Sequence, residues 1–369
     1  MKVALVYDRV NKFGGAERVI QRLHHLYPQA PLYTLVHNPD TSEWSRGIKV
    51  IPSFFNKIKF FRTRHELLAP VANYGFEDFN FNQYDVVISV TSADAKAVIT
   101  KPETLHICYC LTPTRYLWQG FSEYEKDIKM RLLPKMIKKT IRSTDYINAQ
   151  RPDRYIAISD EVKRRIKKYY NRQADIIYPS IEDKFYSKNK PKKLSQRGSY
   201  LLVSRLVPYK KADLVIKTFN QLGLPLVVVG SGSEKSRLKL LAKSNISFLG
   251  QISDSELISQ YRQAKALIFP QLEDFGLIPL EAQASGTPVI AYAQGGALET
   301  VVDQETGLFF KKQTPSSLID AIRRFEAGEH KIKPSLCLQQ AAKFSASGFN
   351  QQFSDKVKRL WYKHQNQTI

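Results

Sequence analysis

The chain has 369 residues, too many for one comfortable core and enough for two of ordinary size. Lysine and arginine number 56 against 34 aspartates and glutamates, and the resulting +22 is spread over both halves. That excess favours polyanionic partners, namely nucleic acid, anionic lipid or phosphorylated small molecules, while 43% hydrophobic and 11% aromatic residues exclude a disordered chain.

Val3 to Tyr7 reads as a short strand buried on both faces, as in a parallel sheet. Asn11 to Glu17, with the diglycine Gly14-Gly15, leads into a helical pattern through Val19, Ile20, Leu23 and Leu26. Strand, glycine turn and helix open a doubly wound α/β domain, and a diglycine lets backbone amides come close to a ligand. The charged residues that follow the few apolar ones of MKVALVYDR argue against a signal peptide. Further strands are expected at Leu32 to Val36, Val86 to Val90, His106 to Leu111 and Tyr155 to Ser159. His106 falls on a strand and reads as packed.

Two tracts combine basic and apolar residues. Phe54, Phe55, Lys57, Lys59, Phe60, Phe61 and Arg62 alternate aromatic and basic side chains. Lys129 to Arg142 carries six basic residues and no acid, with apolar positions at rough helical spacing. Either is a solvated face or a surface that settles on anionic lipid. Glu161 to Tyr170 is a second cationic helix with Ser159 or Asp160 as N-cap, its basic side chains read as solvated. The basic, Pro-containing stretch 184–198 reads as a linker.

Beyond it, Tyr200 to Ser204 is a strand, and Arg205 and Lys210 stand between it and a helix start, with Lys211 beside them. Two cations so placed make a phosphate pocket. Pro225 to Val229 is a further buried strand, and the Gly230-Ser231-Gly232 that ends it lacks the third glycine of a dinucleotide fingerprint. Ala264 to Phe269 runs into a polar turn, and a helix starts near Ile278 with Pro279 and Glu281 in its first turn. Glu273 lies in the turn, eight positions before Glu281, with Gly276 between them. An anion site at a helix start, flanked by carboxylates that bind hydroxyls, suits a sugar joined to a phosphate. Cys108, Cys110 and Cys337 make neither a disulfide framework nor a metal set and read as small apolar residues of a reduced cytoplasmic protein. No apolar run approaches the roughly 18 residues of a membrane span.

The stretch E-D-F-G-L-x-P-L-E from Glu273 to Glu281, followed by A-x-A-S-G-x-P-V-I-A and then Gly295, Gly296 and Glu299, resembles the retaining nucleotide-sugar glycosyltransferases of family 4. G-G-A-E-R-V at Gly14 and the Arg205/Lys210 segment are similar to two more motifs of that family. The resemblance implies an α/β fold of GT-B type, two Rossmann-like doubly wound domains facing each other across a cleft and closing over the donor. Residues 1–183 would form the acceptor-side domain, 199–345 the donor domain, and 346–369 a helix packing back toward the N-terminal domain.

It further implies that Glu273 faces the donor sugar, Glu281 takes the ribose hydroxyls, and Arg205 and Lys210 grip the diphosphate. Gly14, Gly15, Lys211, Phe275, Gly276 and Leu277 would line the donor site. Thr112, Arg115, Tyr116 and Trp118 resemble a loop written H-[ST]-P-x-R-Y-x-W, which implies a place near the sugar or acceptor; here Leu111 replaces the family histidine. With no D-x-D in the sequence, the expected enzyme needs no metal and no cofactor. The pattern looks closest to bacterial mannosyltransferases of surface polysaccharide assembly. It therefore implies GDP-mannose as donor, a lipid-linked or saccharide acceptor, and a cytoplasmic protein resting on the anionic inner face of the plasma membrane. A UDP-sugar donor is the alternative. A nucleotide-sugar epimerase would show side chains placed for proton chemistry, and a nucleic-acid binder an aromatic–basic sheet motif; neither pattern is evident.

Overall fold

The computed structural model describes residues 1–118, 135–186, 193–328 and 331–368. The chain divides into two units: Met1–Pro179 together with Phe349–Ile369, and Ser180–Gly348. The division falls at Pro179, ahead of the 184–198 stretch expected as linker. Phe185 and Leu194 from that stretch are buried, Leu194 in the core of the second unit.

Unit 1 is a seven-stranded parallel sheet. Its strands are β1 (Val3–Tyr7), β2 (Leu32–Thr34), β3 (Val50–Pro52), β4 (Val86–Thr91), β5 (Leu105–Cys110), β6 (Arg154–Ala157) and β7 (Ala174–Ile176), in the order β3-β2-β1-β4-β5-β6-β7. The central strands β1, β4 and β5 are buried at every residue, as near-continuous apolar runs demand. The three-residue edges β3 and β7 are half-buried and were not foreseen. His106, on β5, is buried, with Nε2 2.8 Å from Ser89 Oγ. The helices are α1 (Gly15–Leu26), α2 (Lys59–Thr63), α3 (Ala72–Glu77), α4 (Arg115–Trp118), α5 (Lys135–Asn148) and α6 (Asp160–Tyr170). Ser159 caps α6, its hydroxyl accepting from the Val162 amide at 3.0 Å. Of the basic tract Lys129 to Arg142, residues 129–134 lie outside the described residues, and the rest begins α5.

Unit 2 is a six-stranded parallel sheet of β8 (Ser199–Val203), β9 (Leu226–Val229), β10 (Ile246–Gly250), β11 (Ala264–Phe269), β12 (Val289–Tyr292) and β13 (Gly307–Phe310). Its order is β10-β9-β8-β11-β12-β13. The helices are α7 (Ala212–Leu222), α8 (Lys235–Leu241), α9 (Asp254–Gln263), α10 (Leu277–Ala284), α11 (Ala297–Thr300), α12 (Pro315–Gly328) and α13 (Pro334–Ala342). One face of α7 (Leu214, Val215, Phe219) and one of α12 (Leu318, Ile322, Phe325) close the apolar core over this sheet. The last helix, α14 (Ala346–Thr368), belongs to unit 1 from Phe349 onward. There Tyr109 of β5 meets Phe353 edge to face with ring centroids 5.4 Å apart, Lys356 pairs with Asp175, and His364 Nε2 lies 2.7 Å from the Pro102 carbonyl. The three cysteines are free and buried.

Candidate active site

In an open parallel sheet, ligands bind beyond the carboxyl ends of the strands where the strand order reverses. In unit 2 that point lies between β8 and β11. The segment after β8 carries Arg205, Lys210 and Lys211, and the turn after β11 carries Glu273. The topology therefore brings together residues 63 positions apart in sequence: Lys210 Nζ forms an ion pair with Glu273 Oε1. Lys210 is buried, Arg205 is exposed, and Arg205 Nη2 donates to the Tyr209 hydroxyl at 2.5 Å. Lys211 takes a left-handed backbone (φ 56°) as the N-cap of α7, which turns the chain from the cationic segment into the helix.

Glu273 has a second neighbour, Gln271, whose Nε2 donates to Oε1 at 3.4 Å. Gln271 is fully buried, and its Oε1 has no hydrogen-bond partner. The helix α10 begins at Leu277, because Gly276 (φ 103°) turns left-handed as its N-cap and no side chain caps it. This places Glu281 in the second turn rather than the first. Its carboxylate is buried and accepts a hydrogen bond from the Tyr261 hydroxyl at 3.1 Å. Pro279 falls among the first four residues, whose amides have no intrahelical partner. The turn is held from outside: the Gly296 amide donates to the Glu273 carbonyl at 2.9 Å, and a Cβ at Gly296 would lie 2.1 Å from the Phe275 carbonyl oxygen. The Phe275 ring is buried against Phe344, centroids 5.7 Å apart, so it supports the turn from the core side.

In unit 1 the order reverses between β1 and β4. Asp8, just past β1, is buried. Its Oδ1 accepts from Thr91 Oγ1 (2.6 Å) and from the amides of Asp94 (3.0 Å) and Ala95 (2.9 Å), and its Oδ2 accepts from the Ser92 amide (2.8 Å). One carboxylate thus shapes the loop after β4. Gly14 is the N-cap of α1 with an extended backbone, and Gly15 is the first helical residue. The first turn of that helix holds the buried Glu17, whose Oε1 accepts from the Tyr7 hydroxyl at 2.6 Å. A protein carboxylate therefore already complements this helix start.

The loop expected near sugar or acceptor is clamped from beneath. Buried Lys96 pairs with buried Asp145 at 2.6 Å and donates to Thr114 Oγ1 at 3.1 Å; Asp145 also accepts from Thr114 Oγ1 and from the Trp118 indole N–H, each at 2.6 Å. Burial alone would lower the Lys96 pKa, but Asp145 and then Asp94 more than offset it and hold the ammonium charged. Trp118 stacks on Tyr169, centroids 5.3 Å apart, and Arg142 sits over its ring at 4.4 Å. Thr112 is buried and lies 3.3 Å from Arg165 Nη1. Arg165, read as solvated, is instead buried and paired with Glu161, one helical turn earlier. Arg115 and Tyr116 are half-exposed, and Leu111, in the place of the family histidine, is buried.

Gln271, Tyr261, Asp8, Asp94 and Asp145 were missed from sequence. A carboxylate just past the end of a buried strand is the one signal that would have marked Asp8 and Asp94. Among the described residues no group of three or more His, Cys, Asp or Glu side chains is placed to hold a metal ion.

Residues 183–344 match the family model described as glycosyl transferases group 1. The matched segment lies within unit 2 and contains Arg205, Lys210, Glu273 and Glu281. The chain is 32% identical over 195 residues to a D-inositol 3-phosphate glycosyltransferase of Mycobacteroides abscessus, covering 48% of this chain and 43% of the relative. It is 31% identical over 148 residues to a GDP-mannose-dependent alpha-(1-6)-phosphatidylinositol monomannoside mannosyltransferase of Mycobacterium tuberculosis, covering 35% of this chain and 38% of the relative. The chain thus spans about half the length or less of these curated relatives. The structure of Anabaena Alr3699/HepE in complex with UDP-glucose superposes with a TM-score of 0.70 at 18% identity, covering 97% of this chain and 100% of that one. The fold is of GT-B type, with two parallel-sheet Rossmann-like domains.

Proposed function

We propose that this protein is a retaining, metal-independent glycosyltransferase that moves a hexose from a nucleotide-sugar to a lipid-linked or saccharide acceptor. GDP-mannose is the first donor. The observation that carries this reading is the pairing of Lys210 with Glu273 at the strand-order reversal of unit 2, with Arg205 on the same segment as Lys210. A cation and a carboxylate held there suit a ligand with a diphosphate and a hydroxylated ring. The GDP-mannose dependence named for the mycobacterial relative supports the donor.

Breaking a glycosyl–phosphate bond builds negative charge on the departing diphosphate. Arg205, Lys210 and the amides at the start of α10 are the groups that would stabilise it. Glu273 would orient the sugar hydroxyls and Glu281 the ribose, while the leaving phosphate takes the acceptor proton on the face from which it departs. The anionic inner face of the plasma membrane is the proposed working surface. Phe54, Ile58, Phe60, Leu67 and Tyr74 are exposed large apolar side chains within one stretch that also carries Lys57, Lys59 and Arg62. No helix among the described residues is long and apolar enough to cross a membrane.

The test is a thermal-shift screen of GDP, UDP, ADP and their sugar conjugates in EDTA. A selective shift with GDP or GDP-mannose supports the metal-free donor pocket and the donor, and leaves the acceptor to a transfer assay. A UDP preference keeps the reaction class and overturns the donor, and no shift with any nucleotide overturns the reading.

A further inference from the structure

The proposed function assigns no carboxylate of unit 1 to the acceptor hydroxyl. The loop after β4 singles out one. It is built around inward-facing side chains: Thr91 and Ser92 turn to Asp8, and Lys96 turns to Ala93, Thr114 and Asp145. Asp94 differs. Its amide donates to Asp8 Oδ1, which fixes its backbone, yet its own carboxylate hydrogen-bonds to no described residue and is partly exposed. A carboxylate whose backbone is fixed and whose oxygens bond to no described side chain is open to a hydroxyl from outside the loop.

Its position adds an independent reason. Asp94 lies beyond the carboxyl end of β4, at the reversal of strand order in unit 1, where α/β sheets of this kind bind ligands. The charged and titratable groups around it come from four elements: Asp8 and Arg9 after β1, Lys96 on its own loop, Tyr116 of α4 and Asp145 of α5. Burial first, with Asp8 and Asp145 adding and Lys96 and Arg9 opposing, pushes its carboxyl up to about 7. Strong perturbation at such a position is a mark of functional carboxylates.

We propose that the Asp94 carboxylate, fixed through its amide by Asp8, is the hydroxyl-binding group of an acceptor subsite on unit 1 that takes saccharide or polyol acceptors. The subsite rests on the glycosyltransferase reading and adds the residue that would recognise the acceptor.

The test uses the full chain, GDP-mannose as donor and methyl α-D-mannoside as probe acceptor, comparing wild type with Asp94→Asn and Asp94→Ala. Loss of one charge-assisted hydrogen bond raises the acceptor KM about tenfold or more in both variants, while the donor KM stays within about twofold. In the wild type kcat/KM for the acceptor changes with an inflection near pH 7, which Asp94→Asn abolishes. Thermal melting checks that the near-isosteric Asn variant is folded. An unchanged acceptor KM and pH profile in a folded Asp94→Asn overturns the subsite, as does an equal rise in both KM values. Nucleotide binding by the wild type without any transfer to the probe also overturns it, because the probe carries the class of hydroxyl it is proposed to bind. Absence of nucleotide binding altogether overturns the glycosyltransferase reading first, and the subsite with it.

Discussion

Lys210 and Glu273 are ion-paired across the strand-order reversal of unit 2, and each is held by its own turn. In the proposed function a donor would replace the carboxylate with a diphosphate as the partner of the lysine, which would leave Glu273 free to meet the sugar. Lys210→Ala is expected to lower turnover by about 100-fold or more, as loss of one electrostatic stabiliser does. Glu273→Ala is expected to abolish turnover with the fold retained. Steady-state kinetics and circular dichroism check both.

Glu281 is set apart from that pair by its bond to Tyr261. Glu281→Gln should weaken the nucleotide more than it slows chemistry, with the donor KM raised about tenfold. Tyr261→Phe removes one donor to the carboxylate and should show a smaller effect in the same direction. Titration with GDP and with GDP-mannose separates ribose contacts from sugar contacts, since a loss confined to the sugar conjugate would move Glu281 out of the ribose role.

Breaking the buried Lys96–Asp145 pair leaves an uncompensated charge beside Thr114 and Trp118, which donate to the same carboxylate. Lys96→Met or Asp145→Asn alone should cost about 3–5 kcal/mol. The double variant Lys96→Met/Asp145→Asn should cost less than the two single losses added together. Urea unfolding of the four proteins gives the comparison.

His106 sets a direction with pH. Burial, then Arg172 and Arg151, pushes its imidazole down to about 3, so the folded chain keeps it neutral while the unfolded chain protonates it near the ordinary histidine pKa. Above that ordinary value it adds no pH dependence. As pH falls from about 6.5 toward 3 the unfolded state binds the extra proton, and stability declines by about 1 kcal/mol per pH unit. The decline should be missing from His106→Asn when denaturant midpoints are compared at pH 7 and pH 5.

Gly296 has an ordinary right-handed backbone, so an alanine there is penalised by contact alone: its Cβ would meet the Phe275 carbonyl at 2.1 Å. Gly296→Ala should therefore push the Glu273 turn out of place and weaken donor binding beyond any loss of melting temperature. Calorimetric titration with the nucleotide-sugar, set beside thermal melting, tests this.

Much of this architecture was legible because central strands of parallel sheets are unbroken apolar runs, as in VALVY and AKALIF. The edges β3 and β7 were not, since three half-buried residues carry no period to read. Arg205, Lys210 and Glu273 could be nominated because phosphate and hydroxyl recognition dictates residue types next to strand ends. Their convergence depended on strand order, which only the fold supplies. Lone residues escaped: Asp8 and Asp94 belong to no spaced pattern, and Gln271 looks like any polar turn residue. Arg165 was misjudged as solvated, although Glu161 four positions earlier and the buried Thr112 hold it inside.

Tyr109 of β5 rests on Phe349 and Phe353, residues translated only after the whole of unit 2. On the ribosome, Ser180–Gly348 is thus a contiguous stretch that can close its sheet while the first sheet still lacks its last helix. Until then the Phe349/Phe353 site beside β5 is an uncovered apolar surface on a nascent chain, the kind of surface that chaperones hold and neighbouring copies stick to. The order of synthesis and the order of completion therefore run in opposite directions in this molecule.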